Sequence, residues 1–408
     1  MDGGPSEDIA VTGIAAGGDG VGRLADGRAV FVRGALPGER LRVALTEEKN
    51  RFARAEIVEV LQAAPERVGP PCSQVAGGCG GCDWQHVAPE AQRRLKATIV
   101  MDALRRIGKL DPPEPDLGPE LPAEGWRTTV RAAVDDEGRA GFRLRHAHEP
   151  LALGPEGCLV AHPLVDESLR GGVFPPPVRE VTVRAGVATG ERLVLCTPKV
   201  GGSQVDIETT TVVGADELAG GHRAWFHEVV AGRTWRISAE SFFQGRPDGA
   251  AALIDTVAAV LGDAVAPGAG VVDLYGGVGL FAGALGERTG GRVVVVESNR
   301  SAVADARVNL ADLNGARIVR SDVRKWGPSA ADVVVADPSR HGLGADVVPR
   351  IDATGASALA LVSCDPGALG RDAGLLAASG WHLRAVNLVD LFPHTAHVEV
   401  VTGWFRGI

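Results

Sequence analysis

The sequence lacks an apolar run long enough to cross a membrane, which takes about 20 residues, and we therefore expect no membrane span. Its N-terminus, Met-Asp-Gly-Gly-Pro-Ser-Glu-Asp, has neither the basic nor the apolar region of a secretory signal, which predicts a cytoplasmic location. The net charge of −9 disfavours a globally basic nucleic-acid binder, although a local basic patch can still bind phosphates.

Only six cysteines occur in 408 residues, and three of them cluster between Cys72 and Cys82. In a cytosolic chain such a cluster indicates metal binding or catalysis rather than disulfides. Cys72, Cys79, Cys82 and the distant Cys158 can supply four thiolates, which suits either zinc or an iron–sulfur cluster. One closely spaced pair of cysteines with two more distant ones favours an iron–sulfur cluster over zinc somewhat. Cys196 has no motif around it and is predicted to be a core residue.

The length predicts two or three domains. We place a small β-barrel at 1–62, a mixed central domain at 63–240 and an α/β domain at 241–408. Short strand patterns separated by glycine-rich turns predict the barrel. Exposed arginines would give it a basic face: Arg23, Arg33, Arg51 and Arg54.

The most basic stretch of the chain is a predicted helix over 90–109, which could contact phosphates. Its predicted apolar stripe consists of Leu95, Ile99, Leu104 and Ile107. After residue 126 the central part is mostly strand-like.

Strand-like and helix-like segments alternate along the last part of the chain, which predicts a mostly parallel α/β sheet. The predicted strands are 270–274, 292–297, 316–320, 331–337, 358–364, 383–389 and 398–404. No helix fits into 390–397, so the last two strands are predicted to be antiparallel.

The first strand of this sheet leads into Asp273-Leu-Tyr-Gly-Gly-Val-Gly279, a glycine-rich turn that opens a helix. Such a turn lets the backbone approach a nucleotide-type ligand, and Glu297 at the end of the next strand could bind ribose hydroxyls. The residues 277–282 also match a dinucleotide fingerprint, so the motif alone fits either a nicotinamide cofactor or S-adenosylmethionine. Asp273 and the antiparallel final pair favour S-adenosylmethionine.

Three further motifs are predicted to meet at the carboxyl edge of the sheet. Asp337 and Cys364 lie at the ends of the fourth and fifth predicted strands. Glu399 lies at the start of the last predicted strand, directly after the turn-rich segment. A cysteine thiolate can add to C6 of a pyrimidine and make C5 nucleophilic, after which a carboxylate must remove the C5 proton. Cys364 and Glu399 are the residues expected to do this.

Together these motifs resemble the RNA 5-methyluridine methyltransferase family, in its iron–sulfur branch that acts on 23S ribosomal RNA. The matching segments are Cys72, Cys79-Gly-Gly-Cys82 and Cys158, Phe242-Phe-Gln244, 273–279, Glu297-Ser-Asn299, Asp337-Pro-Ser-Arg340, Ser363-Cys-Asp-Pro366 and 392–399. The N-terminal segment resembles a TRAM domain, a small OB-like RNA-binding barrel.

The resemblance implies a Rossmann-like class I methyltransferase domain that follows the barrel and an α+β iron–sulfur domain. It implies Cys364 as nucleophile and Glu399 as base on a flipped-out uracil. It also implies an S-adenosylmethionine site formed by Gln244, Tyr275, Glu297, Asp322 and Asp337, and a 4Fe-4S cluster held by Cys72, Cys79, Cys82 and Cys158. We expect a monomer with an RNA substrate, ribosomal rather than transfer RNA, and no membrane partner.

Three positions depart from the family pattern. Asp365 replaces the usual Asn after the nucleophile, Ser339 replaces a Pro, and Leu280 replaces an Asn that contacts the cofactor. An ionised Asp365 close to the thiol could raise the pKa of Cys364. The alternatives left open are methylation of transfer RNA, a non-catalytic RNA-binding iron–sulfur protein, and an NAD-dependent oxidoreductase.

Overall fold

A closed barrel of five strands forms the N-terminal part of the computed structural model, which describes residues 6–145, 147 and 149–407. The strands are β1 (Ser6–Ile14), β2 (Gly20–Arg23), β3 (Ala29–Val32), β4 (Arg40–Glu48) and β5 (Phe52–Gln62). Their order is β1-β2-β3-β5-β4, and β4 closes onto β1. Val30, Val32, Leu41 and Val43 are fully buried because alternate side chains of each strand point inward. The predicted barrel is confirmed.

Two helices follow the barrel, α1 (Ser73–Ala76) and α2 (Pro89–Arg106). The predicted helix 90–109 thus ends at Arg106, and Ile107 beyond it is 51% exposed rather than part of the apolar stripe. Gly108 turns the chain against the neighbouring helix, where a Cβ would lie 3.0 Å from the carbonyl oxygen of Gly370. The basic helix was predicted to contact phosphates, and Lys96 cannot do so, because its side chain is fully buried.

The central part contains a six-stranded sheet in the order β11-β10-β9-β6-β7-β8 and a two-stranded ribbon. The sheet strands are β6 (Thr129–Val134), β7 (Ala140–Arg143), β8 (Pro150–Ala152), β9 (Glu180–Ala185), β10 (Arg192–Thr197) and β11 (Thr210–Gly214). The helices are α3 (Pro163–Gly171) and α4 (Ala215–Ala219), and the ribbon is β12 (Trp225–Val230) with β13 (Arg233–Ser238). Val165 and Leu169 of α3 pack on the sheet in one core, which includes Cys196 as predicted.

A seven-stranded sheet forms the C-terminal part, in the order β16-β15-β14-β17-β18-β20-β19. Its strands are β14 (Val271–Leu274), β15 (Val293–Glu297), β16 (Arg317–Arg320), β17 (Val333–Ala336), β18 (Ala358–Ser363), β19 (His382–Leu388) and β20 (Val400–Phe405). The helices are α5 (Pro247–Leu261), α6 (Leu280–Thr289), α7 (Arg300–Asn309), α8 (Val348–Asp352) and α9 (Pro366–Ala378). Strand β20 pairs antiparallel with both of its neighbours, β18 and β19. The prediction that the last two strands are antiparallel is therefore confirmed.

Both faces of the seven-stranded sheet are buried, which explains why its strands read as continuous valine runs. Val333 and Val335 of β17 face one core, whereas Val334 and Ala336 face the other. Because the parallel strands of this sheet run in the same direction, their carboxyl ends lie at one common edge. No described helix is long and apolar enough to span a bilayer.

Candidate active site

Cys364 follows the last residue of β18 at the carboxyl edge of the sheet and is partly exposed. Burial, together with the charges of Glu399 and Asp337, raises the pKa of its thiol to about 12. The guanidinium of Arg340 opposes this shift. The thiol therefore carries its proton at neutral pH unless a bound substrate changes its surroundings.

Glu399 lies directly before β20, the strand that pairs antiparallel with β18. The register places Ser363 opposite Val400, so Cys364 and Glu399 occupy the next positions of the same strand pair. Glu399 is only 4% exposed, and burial followed by the charge of Asp337 raises the pKa of its carboxyl group well above the usual range. A carboxyl group with a raised pKa, held beside a nucleophile, suits proton abstraction.

Asp337 follows β17, the strand between β14 and β18. Burial raises the pKa of its carboxyl group, and its charge acts on Cys364 and Glu399 alike. The three strand-end motifs therefore meet at one edge of the sheet, as the sequence predicts.

The glycine-rich turn joins β14 to α6 through left-handed backbone at Tyr275, Gly277 and Gly279. At Gly279, with φ of 96°, a Cβ would lie 2.9 Å from Leu310, so only glycine fits. The backbone N–H of Gly277 donates to Oε2 of Glu297 over 3.0 Å. Each carboxylate oxygen has a second lone pair, so Glu297 can still accept a hydroxyl.

A cavity of about 630 Å³ opens beside this turn. Three residues predicted to bind the cofactor line it, namely Tyr275, Glu297 and Asp322. Two others, Gln244 and Asp337, are not among its lining residues. The volume lies within the range of roughly 300–1,000 Å³ that is typical of small-molecule sites.

Asp322 pairs with Arg324 over 2.6 Å, and the hydrogen bonds from Arg324 lower the pKa of its carboxyl group to about 2. A permanently ionised carboxylate at the cavity suits a cationic or hydroxyl-bearing ligand. Arg324 and His341 also line the cavity but were not predicted from the sequence.

Asp273 was part of the predicted turn but was not assigned to the site. It is fully buried, its Oδ2 accepts from the N–H of Ala282 over 2.9 Å, and its Oδ1 has no hydrogen-bond partner among the residues that the structure describes. Burial and the charges of Asp337 and Glu297 raise the pKa of this carboxyl group to about 8. Arg340, the cation beside the thiol, was missed as well, although it closes the Asp337-Pro-Ser-Arg340 motif.

The three departures from the family pattern have distinct positions. Asp365 is the N-cap of α9, and the pKa of Cys364 is raised by burial and by the charges of Glu399 and Asp337 instead. Leu280, at the start of α6, is buried in the core on one side of the sheet and is not among the residues that line this cavity. Ser339 lines the cavity and lies 3.4 Å from Nδ1 of His341.

The four predicted cluster ligands come together, since Cys72, Cys79, Cys82 and Cys158 all line one small pocket. Cys79 and Cys82 are buried, and burial with the charges of Cys158 and Cys79 raises the pKa of Cys82 to about 12. Among the described residues, however, no group of three or more His, Cys, Asp or Glu side chains has the arrangement of a metal site. The structure thus shows the convergence of the cysteines but no metal centre.

The sheet order, the glycine-rich turn with its acidic strand end, and the cavity beside them define a Rossmann-like methyltransferase fold. The chain resembles the Pyrococcus abyssi tRNA (uracil-54, C5)-methyltransferase in complex with S-adenosyl-L-homocysteine, with a TM-score of 0.74 and 22% identity, over 98% of this chain and 100% of that one. This likeness concerns the fold.

Sequence comparison identifies the family. A TRAM domain model matches residues 4–58. An RNA methyltransferase of Streptomyces avermitilis is 38% identical over 98% of both chains. The 23S rRNA (uracil(1939)-C(5))-methyltransferase of Alkalilimnicola ehrlichii is 32% identical over 96% of this chain and 95% of its own. The protein belongs to the RNA 5-methyluridine methyltransferase family, and it is an S-adenosylmethionine-dependent enzyme with an RNA substrate. The NAD-dependent oxidoreductase and the non-catalytic binding protein are thereby set aside.

Proposed function

We propose that this protein forms 5-methyluridine in 23S ribosomal RNA, with Cys364 as the nucleophile and Glu399 as the base. The observation that carries the proposal is the antiparallel pairing of β18 with β20, which sets these two residues side by side at the sheet edge. A thiolate and a carboxylate in adjacent positions meet the needs of addition followed by proton removal.

The first step belongs to Cys364. Its sulfur forms a bond to C6 of uracil, and the electrons of the C5–C6 double bond move to C5 and the O4 carbonyl. Because the pKa of the free thiol is about 12, the proton must leave as the substrate binds, and Arg340 stabilises the thiolate. S-adenosylmethionine, when bound, supplies the electrophilic methyl group that C5 attacks.

Glu399 acts last. Its carboxylate takes the proton from C5, the C5–H electrons restore the C5–C6 double bond, and the C6–S bond breaks to release Cys364 as a thiolate. The raised pKa of Glu399 makes it a stronger base than an exposed carboxylate, and its burial keeps water from competing for the proton.

The binding of S-adenosylmethionine is assigned to Gln244, Tyr275, Glu297, Asp322 and Asp337. Tyr275, Glu297 and Asp322 carry this assignment because they line the cavity beside the glycine-rich turn. Gln244 and Asp337 are included on the family resemblance, Asp337 also because its charge reaches the nucleophile and the base.

A 4Fe-4S cluster is assigned to Cys72, Cys79, Cys82 and Cys158. The supporting observation is that four thiols from distant parts of the chain line one small pocket, with Phe142 and Val160 as apolar neighbours. Sulfur ligands in an apolar pocket suit such a cluster, and zinc is the competing occupant. The bound group would hold the loop 72–82 to the central sheet.

The three domains would divide the work. The barrel 1–62 and the central domain 63–240 would bind the RNA, and the domain 241–408 would carry out the chemistry. Ribosomal RNA is preferred because the relative that matches along nearly the whole chain is named for 23S rRNA, whereas the P. abyssi protein named for tRNA shares only the fold. Monomeric state and cytoplasmic location remain predictions.

Covalent trapping tests the proposal. RNA that carries 5-fluorouridine cannot lose a C5 proton, so the wild-type protein with S-adenosylmethionine should form an adduct that survives denaturation. Cys364→Ala should form none, whereas Cys196→Ala, a buried cysteine outside the site, should behave like wild type. Separate trials with 23S rRNA fragments and tRNA transcripts identify the substrate. Absence of an adduct with every uridine-containing RNA would refute the mechanism.

A further inference from the structure

The segment 390–397 connects β19 to the position of Glu399 and has no regular secondary structure beyond turns. The strand pairing with β18 fixes Glu399 on one side, and the course of the chain that leads into it depends on contacts made by this segment. Its backbone is constrained at His394, a buried non-glycine residue with φ of +65°. Left-handed backbone at such a residue persists only where surrounding contacts impose it.

Gln92 of α2 supplies the central contact. Its side chain is completely buried, and its Oε1 accepts from the backbone N–H of His394 over 2.6 Å. Its Nε2 donates to the carbonyl oxygens of Val87 and Trp84 over 2.9 and 3.2 Å. One amide thus ties the base segment to the turn before α2, across a separation of 302 residues.

Lys96, one helical turn after Gln92, supplies the second contact. Its Nζ lies 2.6 Å from Oδ1 of Asp390 and 2.9 Å from the carbonyl oxygen of Phe392. Both side chains of the ion pair are shielded from solvent. Residues at i and i+4 share one face of a helix, so Gln92 and Lys96 contact the segment 390–397 from the same face of α2.

The loop that carries the cysteines completes the attachment. The backbone N–H of Trp84 donates to the carbonyl oxygen of His394 over 2.9 Å, and Oδ1 of Asp83 accepts from the N–H of Ala396 over 3.0 Å. The segment before Glu399 is therefore held at every second residue, Asp390, Phe392, His394 and Ala396, by groups from the part of the chain before residue 97.

We infer that Gln92 and Lys96 are positioning residues that hold Glu399 for removal of the C5 proton, and that they act on this step rather than on attack by Cys364. Cys364 lies between β18 and α9, whereas the hydrogen bonds of Gln92 and Lys96 go to the turn before α2 and to the segment 390–397. This inference rests on the proposed function. A base displaced by about 1 Å can lose roughly 100-fold in rate, so proton removal should slow while addition of the thiolate does not.

The test compares two rates in the same protein. Adduct formation with 5-fluorouridine RNA reports on Cys364 and methyl transfer, because no proton is removed from C5. Tritium release from RNA labelled at C5 of uridine reports on the complete sequence, including proton removal. Gln92→Leu and Lys96→Met should each lower tritium release by about 10- to 100-fold and leave adduct formation within about twofold. A methylated covalent complex should accumulate on ordinary uridine RNA, as it should in Glu399→Gln.

Glu228→Leu is the matched control, because Glu228 is equally buried and accepts from the N–H groups of Val187 and Ala188 in the central part. It should destabilise the fold without changing the ratio of the two rates. If Gln92→Leu does not fold, Lys96→Met gives the answer. Equal loss of both rates, or no loss of either, would overturn the inference while leaving the proposed function intact. No adduct with wild-type protein would overturn both.

Discussion

Asp365 accepts a hydrogen bond at Oδ1 from the backbone N–H of Ala368 over 2.7 Å and thereby caps α9 immediately after the nucleophile. The capping bond fixes the direction in which the chain leaves Cys364. It also explains how a residue that departs from the family pattern is accommodated, since Asp and Asn are about equally good N-caps.

The first prediction concerns this cap. Asp365→Asn should change the free energy of unfolding by less than about 0.5 kcal/mol, because the amide oxygen can accept the same bond. Asp365→Ala should destabilise the protein by about 1 kcal/mol. Urea unfolding of the three proteins measures both values. A large loss of stability in Asp365→Asn would show that the negative charge has a role beyond capping.

The second prediction concerns the charges around Cys364. Arg340 lowers the pKa of the thiol and Glu399 raises it, so their removal should have opposite effects. Arg340→Leu should slow alkylation of Cys364 by iodoacetamide, and Glu399→Gln should speed it, by several-fold each, since one pKa unit changes the thiolate fraction about tenfold.

Mass spectrometry of the peptide that contains Cys364, between pH 8 and 10, measures these rates. In concentrated urea the two variants and the wild type should react alike, because the folded environment is lost. Two variants that shift the rate in the same direction would contradict the electrostatic explanation.

The third prediction concerns pH and stability. Asp273 has a pKa of about 8 in the folded protein and an ordinary value of 3.8, so its protonated form favours the fold. The contribution of this proton to the free energy of unfolding is fully present below about pH 4 and is lost as the pH rises through 8. Asp273→Asn cannot lose this proton. Its stability relative to wild type should therefore increase by a few kcal/mol between pH 5 and 8 and then level off.

Thermal unfolding across this pH range measures the difference. Asp255→Asn is a suitable control, because that side chain is 75% exposed and should give a curve parallel to wild type. A parallel curve for Asp273→Asn would mean that the buried carboxyl group is ionised throughout.

The fourth prediction concerns the cysteine pocket. Protein reconstituted without oxygen with iron and sulfide should become brown and absorb at the edge of the visible range, with about one cluster bound per chain. Cys82→Ser should lose this absorbance, whereas Cys196→Ser should keep it because Cys196 lies in the core of the central sheet. Tight zinc binding without colour would identify the other occupant.

The fifth prediction concerns Phe242, whose side chain is 70% exposed although its neighbour Phe243 is buried. An exposed aromatic ring on a protein that binds RNA can stack on a base, which is worth about 1–3 kcal/mol. Phe242→Ala should weaken RNA binding accordingly without changing the affinity for S-adenosylmethionine. Filter binding and calorimetry measure the two affinities, and equal losses in both would indicate a folding defect.

Much of the architecture follows from local sequence patterns. The valine runs of β15 and β17 predict strands buried on both faces, and the shortness of 390–397 predicts the antiparallel return of β20. The position of Cys364 at a strand end follows in the same way. These features can be predicted from the sequence because strand period, turn chemistry and connection length are properties of neighbouring residues.

The tertiary structure alone decided which distant groups meet. Lys96 reads as a surface lysine in a basic helix, yet it is buried against Asp390, 294 residues away. The same holds for Arg340 beside the thiol, for Cys158 beside Cys82, and for the raised pKa values of Asp273 and Glu399. Such contacts depend on sheet register and on the burial of charge, which no local pattern encodes. The sequence by itself therefore determined the fold and the place of Cys364 at a strand end, but not which distant groups hold the chain that leads into Glu399.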